Sequence, residues 1–361
     1  MNELAPIVLY AGLLIGGALG AVGLLSGFCL LSGLRGWWVE RDDRMIRTFA
    51  LALAVAIAAT QTLAAAGFVD LGKSIYLQPS FSPALMLLGG ALFGYGMVLA
   101  NGCASRALVL LGRGNLRSLV VVATIAVVAQ ITFKGLAAPG RIALLNWSSV
   151  TPADISLASL VAKMGVDLGW ARILTAIAVT LPLLAFAVAH GRWRIAPAQL
   201  AAGVAVGLLV CAGWFATGYL GADDFHPAPV ASLTFVAPLA DSLQYAMLST
   251  ALMPGFGVAL TAGVLAGSLV TSVLTRRFKL EGFASPRHML RSIAGAALMG
   301  GGGALAYGCS IGQGLTGLST LALPSLIAAT GIVAGAWAGL RGPIRVPTPA
   351  LRPAVRADVS H

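Results

Sequence analysis

The chain has 361 residues, 58% of them hydrophobic and 10% charged, with a mean hydropathy of +0.91 and a formal net charge of +11. A soluble domain carries about 25% charged residues, so this chain cannot cover itself with a polar surface, and apolar runs long enough to cross about 30 Å of hydrocarbon recur along it. The positive excess does not mark a nucleic-acid binder, because it sits in short clusters between apolar segments, where it carries topology.

In chain order the apolar segments fall at about 6–34, 46–68, 84–101, 116–134, 171–190, 197–220, 254–276, 290–308 and 321–340. A backbone in lipid must satisfy its own hydrogen bonds, so these are predicted helices of an all-α polytopic membrane protein. Met1-Asn2-Glu3-Leu4 lacks the basic n-region of a secretory signal, so 6–34 is expected to be a membrane segment. Shorter pieces at 103–111, 238–250 and 309–320 cannot span alone and are expected to be half-helices lining a cavity.

Basic clusters at 35–47, 106–117, 192–194, 276–291 and 341–356 alternate with loops holding only Lys73, Lys134, Arg141, Lys163 and Arg172. The positive-inside rule then predicts a bacterial inner-membrane protein with its N-terminus outside and its C-terminus in the cytoplasm. The loop 221–245, with Asp223, Asp224 and Asp241 and no basic residue, falls outside.

Gly89–Cys103 aligns with Gly295–Cys309 at a constant offset, with nine of fifteen positions identical. A weaker match pairs Ser26-Gly27-Phe28 with Thr217-Gly218-Tyr219. Residues 1–340 are therefore expected to form one transport domain of two inverted repeats, about 1–135 and 196–340. The linking segment 136–195 contributes one crossing, and 341–361 is a cytoplasmic tail. Inverted repeats are a transporter signature, with the substrate site near midplane between them.

The four cysteines, Cys29, Cys103, Cys211 and Cys309, show no metal-ligand or disulfide spacing. No metal or cofactor is expected. Two follow a glycine at an interruption: Gly102-Cys103-Ala104-Ser105 and Gly308-Cys309-Ser310-Ile311. A half-helix starting there would aim free N–H groups and the positive end of its dipole into the membrane interior, an anion site without a formal charge. A neutral thiol is a weak donor with a polarizable sulfur, able to hold a soft anion and let it go, as conduction requires. Matched across the repeat, Cys103 and Cys309 favour function over packing. Cys29 is open on its residues alone, and Cys211 reads as a small packed hydrophobe. Among polar intramembrane candidates, Gln61 and Gln130 suit helix bridging, Lys134 and Gln244 are unassigned, and Gln313 stands beside Cys309.

The stretch Ser26-Gly-Phe-Cys29-Leu-Leu-Ser-Gly-Leu-Arg35, with Asp42-Asp43-Arg44-Met45 after it, resembles the first signature of the YeeE/YedE family of sulfur-compound transporters. Phe93-Gly-Tyr-Gly-Met-Val-Leu-Ala-Asn-Gly-Cys103-Ala-Ser resembles the second and Gly308-Cys-Ser-Ile-Gly-Gln-Gly-Leu315 the third. The resemblance implies nine spanning helices with half-helices, thiosulfate as substrate, and an ion path over Cys29, Cys103 and Cys309. It also implies a small cytosolic TusA-type sulfurtransferase as partner. Asn101 and Tyr307 stand where the family often has glycine, and Arg106 with Gly112-Arg113-Gly114 departs from its pattern.

The expected function is thus a permease, not an enzyme, for thiosulfate or a related sulfur oxyanion. Its path residues are Cys29, Cys103, Cys309, Gly102, Gly308, Ser310, Gln313 and Arg106, and membrane lipid surrounds it. The alternatives are a transporter of another sulfur or selenium species such as sulfite, or a membrane sulfurtransferase using Cys103 or Cys309 as nucleophile. The latter lacks an activating base, since His190, His226, His288 and His361 lie away from the motifs.

Overall fold

A computed structural model describes residues 4–342 except 153, 189–195, 223–228 and 284. The expectations placed on Arg192, Arg194, Asp223, Asp224, His190, His226, His361 and the tail from 343 lie outside the described residues.

The first half holds α1 (Leu4–Ser26), α2 (Leu30–Arg35), α3 (Arg44–Ala65), α4 (Pro83–Ala100), α5 (Ala104–Gly112) and α6 (Leu116–Phe133). Three helices link it to the second: α7 (Ala138–Ser148), α8 (Leu157–Ala162) and α9 (Leu168–Val188). Then come α10 (Pro197–Phe215), α11 (Val236–Met247), α12 (Phe256–Leu274), α13 (Pro286–Leu305) and α14 (Leu323–Leu340). Prolines in the first turns of α4, α10, α13 and α14 start helices where their missing N–H costs nothing, and Ser82, Asn115 and Ser285 cap free amides with their side chains. The chain is an all-α polytopic membrane protein. Its outward side chains are apolar, including Leu14, Leu181, Leu208 and Val273, while Thr, Ser and Gln313 are buried.

Eight stretches among the described residues are long and apolar enough to cross a membrane. The ninth segment expected at 290–308 folds as α13; its 20 residues reach about 30 Å, but its glycine run and two arginines make it less apolar. The segment 6–34 is not one helix: the chain leaves helical geometry at Gly27–Cys29 and restarts as α2. The half-helix expected at 103–111 is α5, and 238–250 corresponds to α11. After Cys309 the chain makes a turn and then a buried π-helical segment, Gly312–Gly317, rather than a regular half-helix.

The repeat is visible in how glycines admit neighbouring backbones. A Cβ at Gly89 would lie 2.6 Å from the carbonyl oxygen of Gly302, and one at Gly96 2.6 Å from that of Gly295. As one number rises the other falls, so α4 and its repeat mate α13 cross antiparallel, and the repeats are inverted. Gly94 meets the Ile332 carbonyl as Gly300 meets that of Ile125, and Gly16 meets Leu260 as Gly207 meets Ala52. Small residues at these crossings let helices pack by dispersion where lipid offers no hydrophobic drive.

Candidate functional site

Each cysteine turn is built by a local break in a helix. At the first, Ser26 donates to the Val22 carbonyl and accepts from the Phe28 amide, Gly27 takes a left-handed φ of +69°, and Cys29 is extended before α2. At the second, Asn101 ends α4 in the left-handed region (φ 60°) and Cys103 precedes α5. At the third, Tyr307 takes φ 52° before Gly308 and Cys309. Asparagine tolerates that conformation; tyrosine does so only when held. Tyr307 is held, since Arg141 donates to its hydroxyl at 3.1 Å and sits over its ring.

The thiols are reduced and buried, with exposures of 3% at Cys29, 1% at Cys103 and 1% at Cys309. The backbone N–H three residues past each cysteine, at Ser32, Arg106 and Gly312, turns toward its sulfur, and Gly312 reaches a hydrogen-bond distance of 3.2 Å. Cys29 and Cys103 occupy the N-cap positions of α2 and α5 without closing a cap hydrogen bond, so only the Cys309 sulfur accepts from the backbone. Cys29 and Cys103 share a hydrogen bond with their sulfurs 3.7 Å apart, and the Ser105 hydroxyl lies 3.2 Å from Cys103.

The structure brings Cys103 to Cys29, not to its repeat mate. Because α4 and α13 are antiparallel and each cysteine follows a C-terminus, Cys103 and Cys309 lie toward opposite ends of that pair. Between the turns, Phe28 stacks on Phe49 at 5.5 Å, and a Cβ on Gly314 would lie 3.6 Å from the Phe49 ring. Phe235 precedes half-helix α11 as Cys29 precedes α2, so Cys309 has Phe235 and Thr234 where Cys103 has a second thiol.

Arg106 lies beside the pair. Its guanidinium donates to the Gly23 carbonyl at 3.2 Å and acts electrostatically on Cys29. Arg113 is half-buried and donates to the Arg277 carbonyl, away from the thiols. Gly102 needs no special conformation, and a Cβ there would meet only the Arg106 side chain at 3.5 Å, so space remains beside the thiol. Gly308 is tighter, at 2.9 Å from Gln313. Gln313 donates to the Ala306 carbonyl at 2.6 Å, tying the turn to the end of α13, while its own oxygen and the Ser310 hydroxyl are buried without a partner. Replacing Gln313 by Ala removes that donor from a buried carbonyl and should cost about 1–3 kcal/mol, read as an earlier thermal unfolding transition.

Sequence reasoning missed Thr234 and Tyr76. The Thr234 hydroxyl faces both the Cys309 thiol and the Tyr76 phenol, and burial pushes that phenol well above the ordinary tyrosine range. The one available signal was Ser232 and Thr234 before α11; the repeat alignment placed the counterpart of Ser26-Gly27-Phe28 at Thr217-Gly218-Tyr219 instead. Gln61 bridges α3 to the Ser319 carbonyl, and Lys134 pairs with Asp241 and Gln244 at an exposed helix end. Cys211 is half-buried on α10, apart from the other thiols, so Cys211→Ala should change uptake by less than about twofold, consistent with a substitution outside any special contact.

Inverted helical repeats around breaks that carry buried thiols define a membrane transporter architecture. Residues 25–338 match the sulphur transport family, and the chain belongs to it. It is 26% identical over 345 residues to the thiosulfate transporter TsuA of Escherichia coli strain K12, covering 91% of this chain and 93% of that protein. It is 25% identical over 347 residues to the thiosulfate transporter TsuA of Spirochaeta thermophila, covering 91% and 97%.

Proposed function

We propose that the protein conducts thiosulfate, or a closely related sulfur oxyanion, into the cytoplasm past Cys103, Cys29 and Cys309. The observation that carries this reading is the Cys29–Cys103 pair, two buried free thiols whose sulfurs lie 3.7 Å apart. Backbone amides face the sulfurs, which leaves each S–H proton to donate elsewhere. The Arg106 charge and the partnerless Ser310 hydroxyl are the other ligands; Gly102 leaves room beside its thiol, and Gly308 lets Gln313 pack closely and hold the third turn in shape. The relatives' named substrate supports thiosulfate.

The division into repeats at about 1–135 and 196–340 supports a site between them, with 136–195 as linker. The arginine-rich loops support an inner-membrane protein with its N-terminus outside and the tail 341–361 inside, where a TusA-type sulfurtransferase would receive the ion. Uptake of labelled thiosulfate by cells expressing the protein tests the reading, and none above vector control contradicts it. Intact-mass measurement after exposure distinguishes the sulfurtransferase alternative. In that reaction a cysteine thiolate bonds to the outer sulfur, the S–S bond breaks and sulfite leaves, so the protein gains one sulfur atom. Conduction leaves the mass unchanged.

A further inference from the structure

Arg35 ends α2, six residues past Cys29 and about 9 Å along the same half-helix. Its residue is only 7% exposed. One terminal nitrogen donates to the Asn101 side-chain oxygen at 2.7 Å, but Nε and the other terminal nitrogen are buried and have no partner. Neighbouring Arg47, equally buried, has the Asp43 carboxylate at 2.8 Å. Arg35 has no such neutralising contact: Glu40 acts on it at a distance without forming an ion pair. A second cation stands close by: Arg291 on α13 donates to the Val98 carbonyl and feels the Arg35 charge.

An arginine is also found on the mirror turn, where Arg141 holds Tyr307. That arginine is half-exposed and lies over two aromatic rings, and holding the turn accounts for it. Holding Asn101 uses one of Arg35's donors and leaves a buried cation with two more aimed at nothing. Burying a charge without a counter-charge is among the costliest arrangements in a protein, and a planar guanidinium fork matches a tetrahedral oxyanion.

We infer that Arg35, with Arg291 beside it, forms an oxyanion station beyond the Cys29–Cys103 pair, gripping the oxygens of the sulfur oxyanion after the thiols have handled its soft end. The inference rests on the reading that such an ion passes these thiols. The station lies between the thiols and the 36–44 segment, where Arg41 and Arg44 stand among Glu40, Asp42 and Asp43, so it serves the end of the path opposite Cys309. Because it grips oxygens, it also binds sulfate, which has no terminal sulfur for a thiol to recognise. Two stations of different chemistry in series let the ion be held at each without being trapped at either.

The test uses purified full-length protein, equilibrium binding of labelled sulfate, and thiosulfate uptake into proteoliposomes. Arg35→Gln should weaken sulfate binding about tenfold or more, the scale of a lost charge-assisted hydrogen bond, and raise the KM for uptake. Arg35→Lys keeps the charge but not the fork and should lose part of that affinity. Arg291→Gln should also weaken binding. Asn101→Ala removes the clamp but neither guanidinium and should cost less than Arg35→Gln. Should Arg35→Gln not yield folded protein, Arg35→Lys and Arg291→Gln decide. The inference is overturned if wild-type protein does not bind sulfate, if the arginine variants bind it as wild type does, or if Asn101→Ala matches Arg35→Gln. Sulfate binding with no thiosulfate uptake by wild type would remove the conduction reading and leave the station. Uptake with wild-type-like sulfate binding by Arg35→Gln would do the reverse.

Discussion

Cys103→Ala is expected to reduce thiosulfate uptake about a hundredfold while the protein still folds. Cys103 donates to or accepts from Cys29 at 3.7 Å and lies 3.2 Å from the Ser105 hydroxyl, so it couples two polar groups in a buried interior. Losing a hydrogen bond to a charged ligand costs about 1.5–3 kcal/mol, and about 2.7 kcal/mol is a factor of a hundred. The small residue change leaves the extended conformation at position 103 and the start of α5 intact. Size-exclusion and thermal unfolding profiles should therefore match wild type. Cys103→Ser keeps a donor but exchanges a weak, polarizable group for a strong, hard one, and should recover only part of the rate. Equal uptake by all three proteins would remove the thiol from the mechanism.

The second large effect is on assembly. Gly302→Val places a branched side chain where a Cβ would already lie 2.6 Å from the Gly89 carbonyl and 2.7 Å from the Phe93 amide. Both are backbone atoms of α4 and cannot rotate away. Overpacking costs about 1–3 kcal/mol where side chains can adjust, and more where backbones must part. Because α4 and α13 position Cys103 and Cys309, the helices would have to separate along their whole crossing. Folded protein recovered from membranes should fall to a small fraction of wild type. Gly301→Val is the control: a Cβ there meets only a Val128 methyl, at 3.8 Å. It should be recovered normally.

Helix positions were legible because apolar length and proline starts determine them locally. The expected 116–134 segment is α6 at Leu116–Phe133, and 84–101 is α4 at Pro83–Ala100. The repeat was legible in glycines because each is needed where a backbone comes close, as at Gly89 and Gly302. The break at Gly27–Cys29 was not, because Leu, Phe and Cys on either side are as apolar as a continuous helix, and only the left-handed φ of Gly27 reveals it. Nor was the pairing of Cys103 with Cys29. Repeat symmetry matches Cys103 to Cys309 in sequence, but an inverted pair sends mates to opposite ends. Thr234 was hidden because its turn carries no cysteine. Arg35 read as one more topological charge, since burial and missing partners are properties of the assembled bundle.

The central claim is that an intact sulfur oxyanion crosses along reduced thiols. Purified protein in proteoliposomes should be given two thiosulfate preparations, one labelled in the outer sulfur and one in the inner. Conduction predicts that both labels enter at the same rate and reach a one-to-one ratio inside, with none left on the protein. Outer-sulfur label bound to Cys103 or Cys309, with inner-sulfur label remaining outside as sulfite, would contradict it.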